Sequence, residues 1–182
     1  PLNTMKNQHH DFLNLGDLVT LLLVFMYCAT IGMAQSVNDE FLNAHNSERE
    51  TLGIPLLVWD DTLVTYANEY ATSEDTPQGG CSGALVHSGG PYGENLYWYW
   101  TSDGTLATPS QAVSAWISEN IYYDYQTNTC ATGEVCGHYT QVVWGDTSSV
   151  GCVAHACTSN PGATYTICSY YPPGNVVGEF PY

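Results

Sequence analysis

Six cysteines, Cys81, Cys130, Cys136, Cys152, Cys157 and Cys168, follow an apolar N-terminal run, and this arrangement constrains the chain more than any other feature. Residues Leu18 to Met26 are densely apolar; Lys6, His9 and His10 precede them, and the small-residue series Gly32-Met33-Ala34 follows. A weakly basic start, an apolar middle and small residues at the cut form the order of a secretory signal peptide, cleaved after Ala34. The run is short for a membrane anchor, which needs roughly 20 apolar residues. Pro1 to Thr4 precede Met5 and read as translated upstream sequence. Residues 1–34 are therefore expected to be removed, taking Cys28 with them, and residues 35–182 to form a single domain. An even cysteine count behind such a leader predicts three disulfides. No pair of Cys-x-x-Cys spacings occurs, which disfavours a zinc knuckle, and spacing alone does not choose the disulfide connectivity.

Without Asp11, Asp17 and Lys6, the remaining domain sets 16 acidic residues against Arg49 alone. Such a surface repels phosphate backbones and anionic lipid heads, so nucleic acid is excluded as a partner and the charge reads as solubility in an acidic extracellular fluid.

Local patterns place helices first and strands after. Ser36 with Asp39 resembles a capping box for a helix from Val37 to Leu52, with Phe41, Leu42, His45 and Leu52 near one face. Asp60 or Asp61 caps a second helix, in which Leu63, Tyr66, Ala67, Tyr70 and Ala71 recur at helical spacing up to Ser73. Gln78 to Gly93 and Trp100 to Thr108 read as loops. Thr108-Pro109 starts a third helix whose stripe is Ala112, Trp116, Glu119 and Tyr123. Tyr139 to Trp144, Val150 to Ala156 and Thr164 to Tyr171 are β-branched or aromatic runs between turn signals, and they predict an antiparallel sheet. The expected class is α+β, with helices covering the sheet.

Four polar residues stand in apolar surroundings: His45, Glu94, Glu119 and His138. Buried charge is costly unless paired. If the four converge, the histidines can each give a nitrogen to a metal while the carboxylates orient the rings. Taken singly, each is an ordinary satisfied polar group.

Four segments, in order, resemble the signatures of the CAP superfamily: His45-Asn46-Ser47-Glu48-Arg49, Gly93-Glu94-Asn95-Leu96, Gly137-His138-Tyr139-Thr140-Gln141-Val142-Val143-Trp144, and Cys168 to Val176. Leu85 to Leu96, Tyr123 to Cys130 and the six cysteine positions are similar to the plant pathogenesis-related class-one branch. Ser169 and Thr166 depart from the usual residues, as does the aromatic insert Tyr97-Trp98-Tyr99-Trp100.

The resemblance implies a disulfide-stabilised three-layer α-β-α sandwich with a central antiparallel sheet. It implies a cleft tetrad of His45, Glu94, Glu119 and His138, with zinc or another divalent cation held weakly by His45 and His138, since two protein nitrogens alone make an incomplete zinc site. It also implies the pairings Cys81–Cys157, Cys130–Cys136 and Cys152–Cys168. A secreted, monomeric defence protein without catalytic residues is expected, in the apoplast if the source is a plant. Its partner would be a sterol or fatty acid on a loop of Tyr92, Tyr97, Trp98, Tyr99 and Trp100, with no integral membrane insertion. The segment 172–182 resembles a releasable signalling peptide, cut after Tyr171. The alternative is a metal-dependent hydrolase or protease using the His/Glu cleft.

Overall fold

The computed structural model describes residues 37–182. The expected leader, the Ser36 cap and the fate of Cys28 lie outside those residues.

Helix α1 spans residues 37–52. Phe41, His45 and Arg49 recur every four residues along it and are all fully buried, so one narrow stripe faces inward. The short strand β1 (Val58–Trp59) leads into helix α2 (Asp61–Ser73), whose first turn is closed by Asp60 accepting from the Thr62 N–H. Leu63, Ala67 and Ala71 are the buried face of α2.

A loop containing a 3₁₀ turn (Gly80–Ser82) precedes strand β2 (Gly93–Trp100). Helix α3 (Pro109–Ile117) begins with a complete capping box between Thr108 and Gln111 and runs into a 3₁₀ turn, Ser118–Tyr122. A two-stranded ribbon, β3 (Tyr123–Asp124) with β4 (Thr129–Cys130), leads to helix α4 (Gly137–Val142). The long hairpin β5 (Ser149–Ala156) and β6 (Ala163–Tyr171) closes the domain.

The main sheet has the order β1-β5-β6-β2, with β6 antiparallel to both long neighbours and β1 parallel to β5. Strand β6 is buried over nearly its whole length, and its side chains alternate between two cores. Cys168 and Tyr170 join Phe41, Val113, Trp116, Tyr139 and Val142 under α1, α3 and α4. Tyr165 and Ile167 join Ala67, Ala71 and Leu96 under α2. Helices thus cover both faces of the sheet, as a three-layer α-β-α sandwich requires. The three disulfides are Cys81–Cys157, Cys130–Cys136 and Cys152–Cys168, the set that the resemblance implies.

Three local expectations are corrected. The run from Tyr139 to Trp144 is not a strand: it holds helix α4, with Tyr139, Val142 and Val143 buried at helical spacing. A six-residue helix is too short to show its period in sequence. Carbonyls at and just beyond its C-terminus are satisfied from outside by Arg49, which donates through Nη1 to Val142 O (3.0 Å) and Trp144 O (2.9 Å). Glu119 lies in the 3₁₀ turn after α3 rather than on that helix. The sheet also takes one short parallel strand, β1, at its edge.

Candidate functional site

The loop before β2 and the first turn of α4 carry the two histidines that the structure brings to one hollow. His138 is the second residue of α4, and its Nδ1 lies 2.6 Å from Glu119 Oε1. The other oxygen of Glu119 accepts from the backbone N–H groups of His138 (3.0 Å) and Tyr139 (3.2 Å). One carboxylate therefore caps the helix and orients the imidazole at its start.

On the opposite wall, His87 Nδ1 lies 2.8 Å from Glu94 Oε1, which also accepts from the Ser88 N–H at 3.0 Å. The Glu94 side chain is only 6% exposed, whereas that of His87 is 61% exposed. The buried carboxylate is thus tied to a ring standing at the rim. Glu94 Oε2 is buried and has no partner among the described residues.

Asn95 joins the two walls, since its Nδ2 donates to His138 O (3.0 Å) and also lies 3.3 Å from the Tyr170 hydroxyl. The cleft, of about 190 Å³, is lined by His87, Glu94, Asn95, Val135, His138 and Asn175. Nε2 of both His87 and His138 is without a hydrogen-bond partner among the described residues. Each ring thus has one nitrogen against a carboxylate and the other open, the arrangement that suits a metal-ligating imidazole.

His45 is not part of this cleft, which corrects the tetrad expected from sequence. It is fully buried, and both of its nitrogens are engaged, Nδ1 with Phe41 O and Nε2 with the Tyr170 hydroxyl, each at 2.8 Å. A carbonyl can only accept, so Nδ1 carries the proton and Nε2 accepts from the tyrosine. Burial pushes the pKa of His45 down to about 4; the Phe41 hydrogen bond opposes that shift and the neighbouring Arg49 charge adds to it. The Trp116 ring is a neighbour of both histidines, with centroids 6.2 Å from His45 and 6.5 Å from His138.

His87 is the residue that sequence reasoning passed over. It stands in Leu85-Val86-His87-Ser88-Gly89, seven residues before Glu94, on a glycine-rich loop. That setting favours an exposed ring, whereas His45 shares its helix stripe with Phe41 and belongs to the core.

The family model described as the cysteine-rich secretory protein family, CAP, matches residues 42–170. The chain is a member of the CAP family. Among its relatives, a pathogenesis-related protein PR-1 from Medicago truncatula is 47% identical over 149 residues, which is 82% of this chain and 81% of that protein. Pathogenesis-related protein 1C from Nicotiana tabacum is 44% identical over 165 residues, covering 91% and 92% of the two chains. The CAP fold is shared with BmVAL-1 (TM-score 0.66, 24% identity, 80% of this chain and 81% of that one). It is also shared with NaASP2, solved with Zn2+ (TM-score 0.57, 22% identity, 80% and 84%).

Two further clusters in the CAP domain group possible metal-binding side chains: His45 with Cys152 and Cys168, and Asp75 with Cys81 and Cys157. Each cysteine pair is a disulfide, so neither cluster offers a thiolate.

The five aromatic residues expected to form one lipid-binding loop are divided by the fold. Tyr97, Trp98, Tyr99 and Trp100 belong to strand β2, where successive side chains face opposite ways. Tyr97 and Tyr99 stack with centroids 6.5 Å apart. Trp98 packs on the α2-side core and donates from Nε1 to Cys81 O at 3.1 Å. Tyr92 meets Tyr66 and Tyr171 edge-on. Four consecutive aromatics hid the alternation, because every position reads as apolar. Among the described residues no helix is long and apolar enough to cross a membrane.

Proposed function

We propose that this CAP protein is a secreted, defence-type binding protein whose cleft holds a divalent cation through Nε2 of His87 and Nε2 of His138. The observation that carries this reading is the pair of imidazoles in one hollow, each with Nδ1 against a carboxylate and Nε2 open. Bound there, a cation would supply Lewis acidity and exchangeable water positions. Two protein nitrogens predict weak, exchangeable binding. NaASP2, similar in fold, was crystallised with Zn2+, which makes zinc the first probe.

Binding rather than turnover is supported by the nucleophile inventory. The six cysteines among the described residues are bridged, and the Ser88 hydroxyl is held by the Tyr66 hydroxyl (3.0 Å) and the Gly90 N–H (3.4 Å) rather than by a histidine. Zinc titration followed by native mass spectrometry tests the reading. Wild-type protein should bind one zinc, the double variant His87→Ala/His138→Ala none, and His45→Gln should bind as wild type does. Undiminished binding by the double variant would overturn the assignment. Zinc-dependent peptide or ester hydrolysis lost in His138→Ala would favour the metal-dependent hydrolase instead.

A sterol or fatty acid is the second ligand class we propose, and one observation suggests the face to test. Tyr97 lines a shallow hollow of about 440 Å³ against Gln111, Ser114 and Ala115 of α3. Loss of labelled-sterol binding in Tyr97→Ala, but not in Trp98→Ala, would support that face. As a releasable peptide, segment 172–182 is favoured by the 54% exposure of Tyr171 at the expected cut. Mass spectrometry of secreted fluid should detect the free peptide, and persistence of intact protein alone would discard it.

A further inference from the structure

The segment after β6 is wedged between the two walls of the cleft. A side-chain carbon at Gly93, the residue before Glu94, would lie 3.2 Å from Pro173 Cα, and one at Gly174 would lie 2.6 Å from Trp144 Cγ. The segment touches the start of β2 on one side and the end of α4 on the other. A side chain at Gly93 would also collide with Gln141 Oε1, the oxygen that accepts from the Gly174 N–H.

Polar contacts fasten the same residues to α4 and its flanks. Pro172 O accepts from the Thr147 hydroxyl at 2.9 Å, and the Gly174 N–H donates to Gln141 Oε1 at 3.0 Å. Asn175 then grips the first turn of α4 with both ends of its amide. Its Nδ2 donates to Gly137 O (2.9 Å), and its Oδ1 accepts from the Thr140 hydroxyl (2.6 Å). The backbone of Asn175 is left-handed, at φ 57°, a conformation that asparagine tolerates better than most residues. The two residues that its amide bridges, Gly137 and Thr140, flank His138. Asn175 also lines the cleft itself.

The geometry points to Asn175 as a positioning residue for the cation site, with the Pro172–Asn175 strap fixing the His138 wall against the His87 wall. Cation occupancy and strap docking then stabilise each other, and linkage requires the two effects to be equal in free energy. This rests on the cation reading given above. It extends that reading by making the C-terminal strap part of the site.

The test compares zinc affinity in wild type, Asn175→Gly and Thr140→Val, with His87→Ala as the control that removes a ligand. Glycine keeps the left-handed backbone and deletes both grips. The expected result is zinc affinity at least about 5-fold weaker in Asn175→Gly, and weakened to a lesser degree in Thr140→Val. A strap that only covers the surface would lower the melting temperature and leave the affinity, measured well below melting, unchanged.

The unaltered chain gives the reciprocal readout. Saturating zinc should slow hydrogen exchange in the peptide covering 172–182 by at least about 5-fold. If wild type binds zinc but Asn175→Gly binds equally well, or if exchange of the strap is indifferent to zinc, the positioning role is overturned and the cation site stands. If wild type binds no zinc, both fall.

Discussion

Acidification should expose the cost of keeping His45 neutral in the core. The folded ring is held down to about 4 by burial, against an ordinary 6.5. The unfolded chain therefore takes up this proton more readily than the folded one. The penalty is small at pH 7, vanishes above it, grows as pH falls through 6.5, and levels off below about 4. From those two values the folded state loses about 2 kcal/mol at pH 5 and about 3 kcal/mol at pH 4 through this residue alone. The perturbation is His45→Gln, which fills a similar space and does not titrate. Urea denaturation of wild type and variant at pH 7, 5 and 4 isolates the histidine, because carboxylate contributions are common to both. Asp75, held well below the usual range by hydrogen bonds from Thr158, Ser159 and His155, loses its contribution only at still lower pH. Wild type should lose about 3 kcal/mol relative to the variant between pH 7 and 4. A difference that stays within about 0.5 kcal/mol across that window would refute the assignment of a neutral, buried His45.

Arg49→Met should cost about 3–5 kcal/mol in urea denaturation, because Pro55 O, Val142 O, Trp144 O and Thr147 O lose their buried donors together. Cys81→Ser should lower the melting temperature further than Cys130→Ser. The first opens a 76-residue separation and the second a 6-residue one, about 4.5 against about 2 kcal/mol in chain-entropy terms. Glu119→Gln keeps a side chain that can still accept from the amides of α4 but removes the charge beside His138 Nδ1; zinc affinity should fall about 10-fold in calorimetry, with folding retained.

What could be read from the sequence follows from how far each signal extends along the chain. Helix α2 announces itself through Asp60, the Leu63/Ala67/Ala71 stripe and its length. Helix α3 does so through Thr108 and Pro109. Glu94, Glu119 and His138 stand out in the sequence as polar residues in apolar settings, and the structure places all three at the cleft or bonded to it. His45 met the same criterion and yet is satisfied within the core, because Tyr170, 125 residues away, supplies its second partner. Such a partner leaves no local trace. Helix α4 depends on two remote groups, Glu119 at its start and Arg49 at its end, so its own six residues carry little sign of it. The left-handed Asn175 bridge likewise exists only after the strap has reached α4.

Arg49 is the one lysine or arginine among residues 37–182, and it is wholly interior. Proteases of trypsin type cut after arginine or lysine, so the folded domain offers them no accessible bond of their own choosing. In a fluid rich in such enzymes, survival of this domain becomes a direct gauge of how rarely α1 comes away from the sheet.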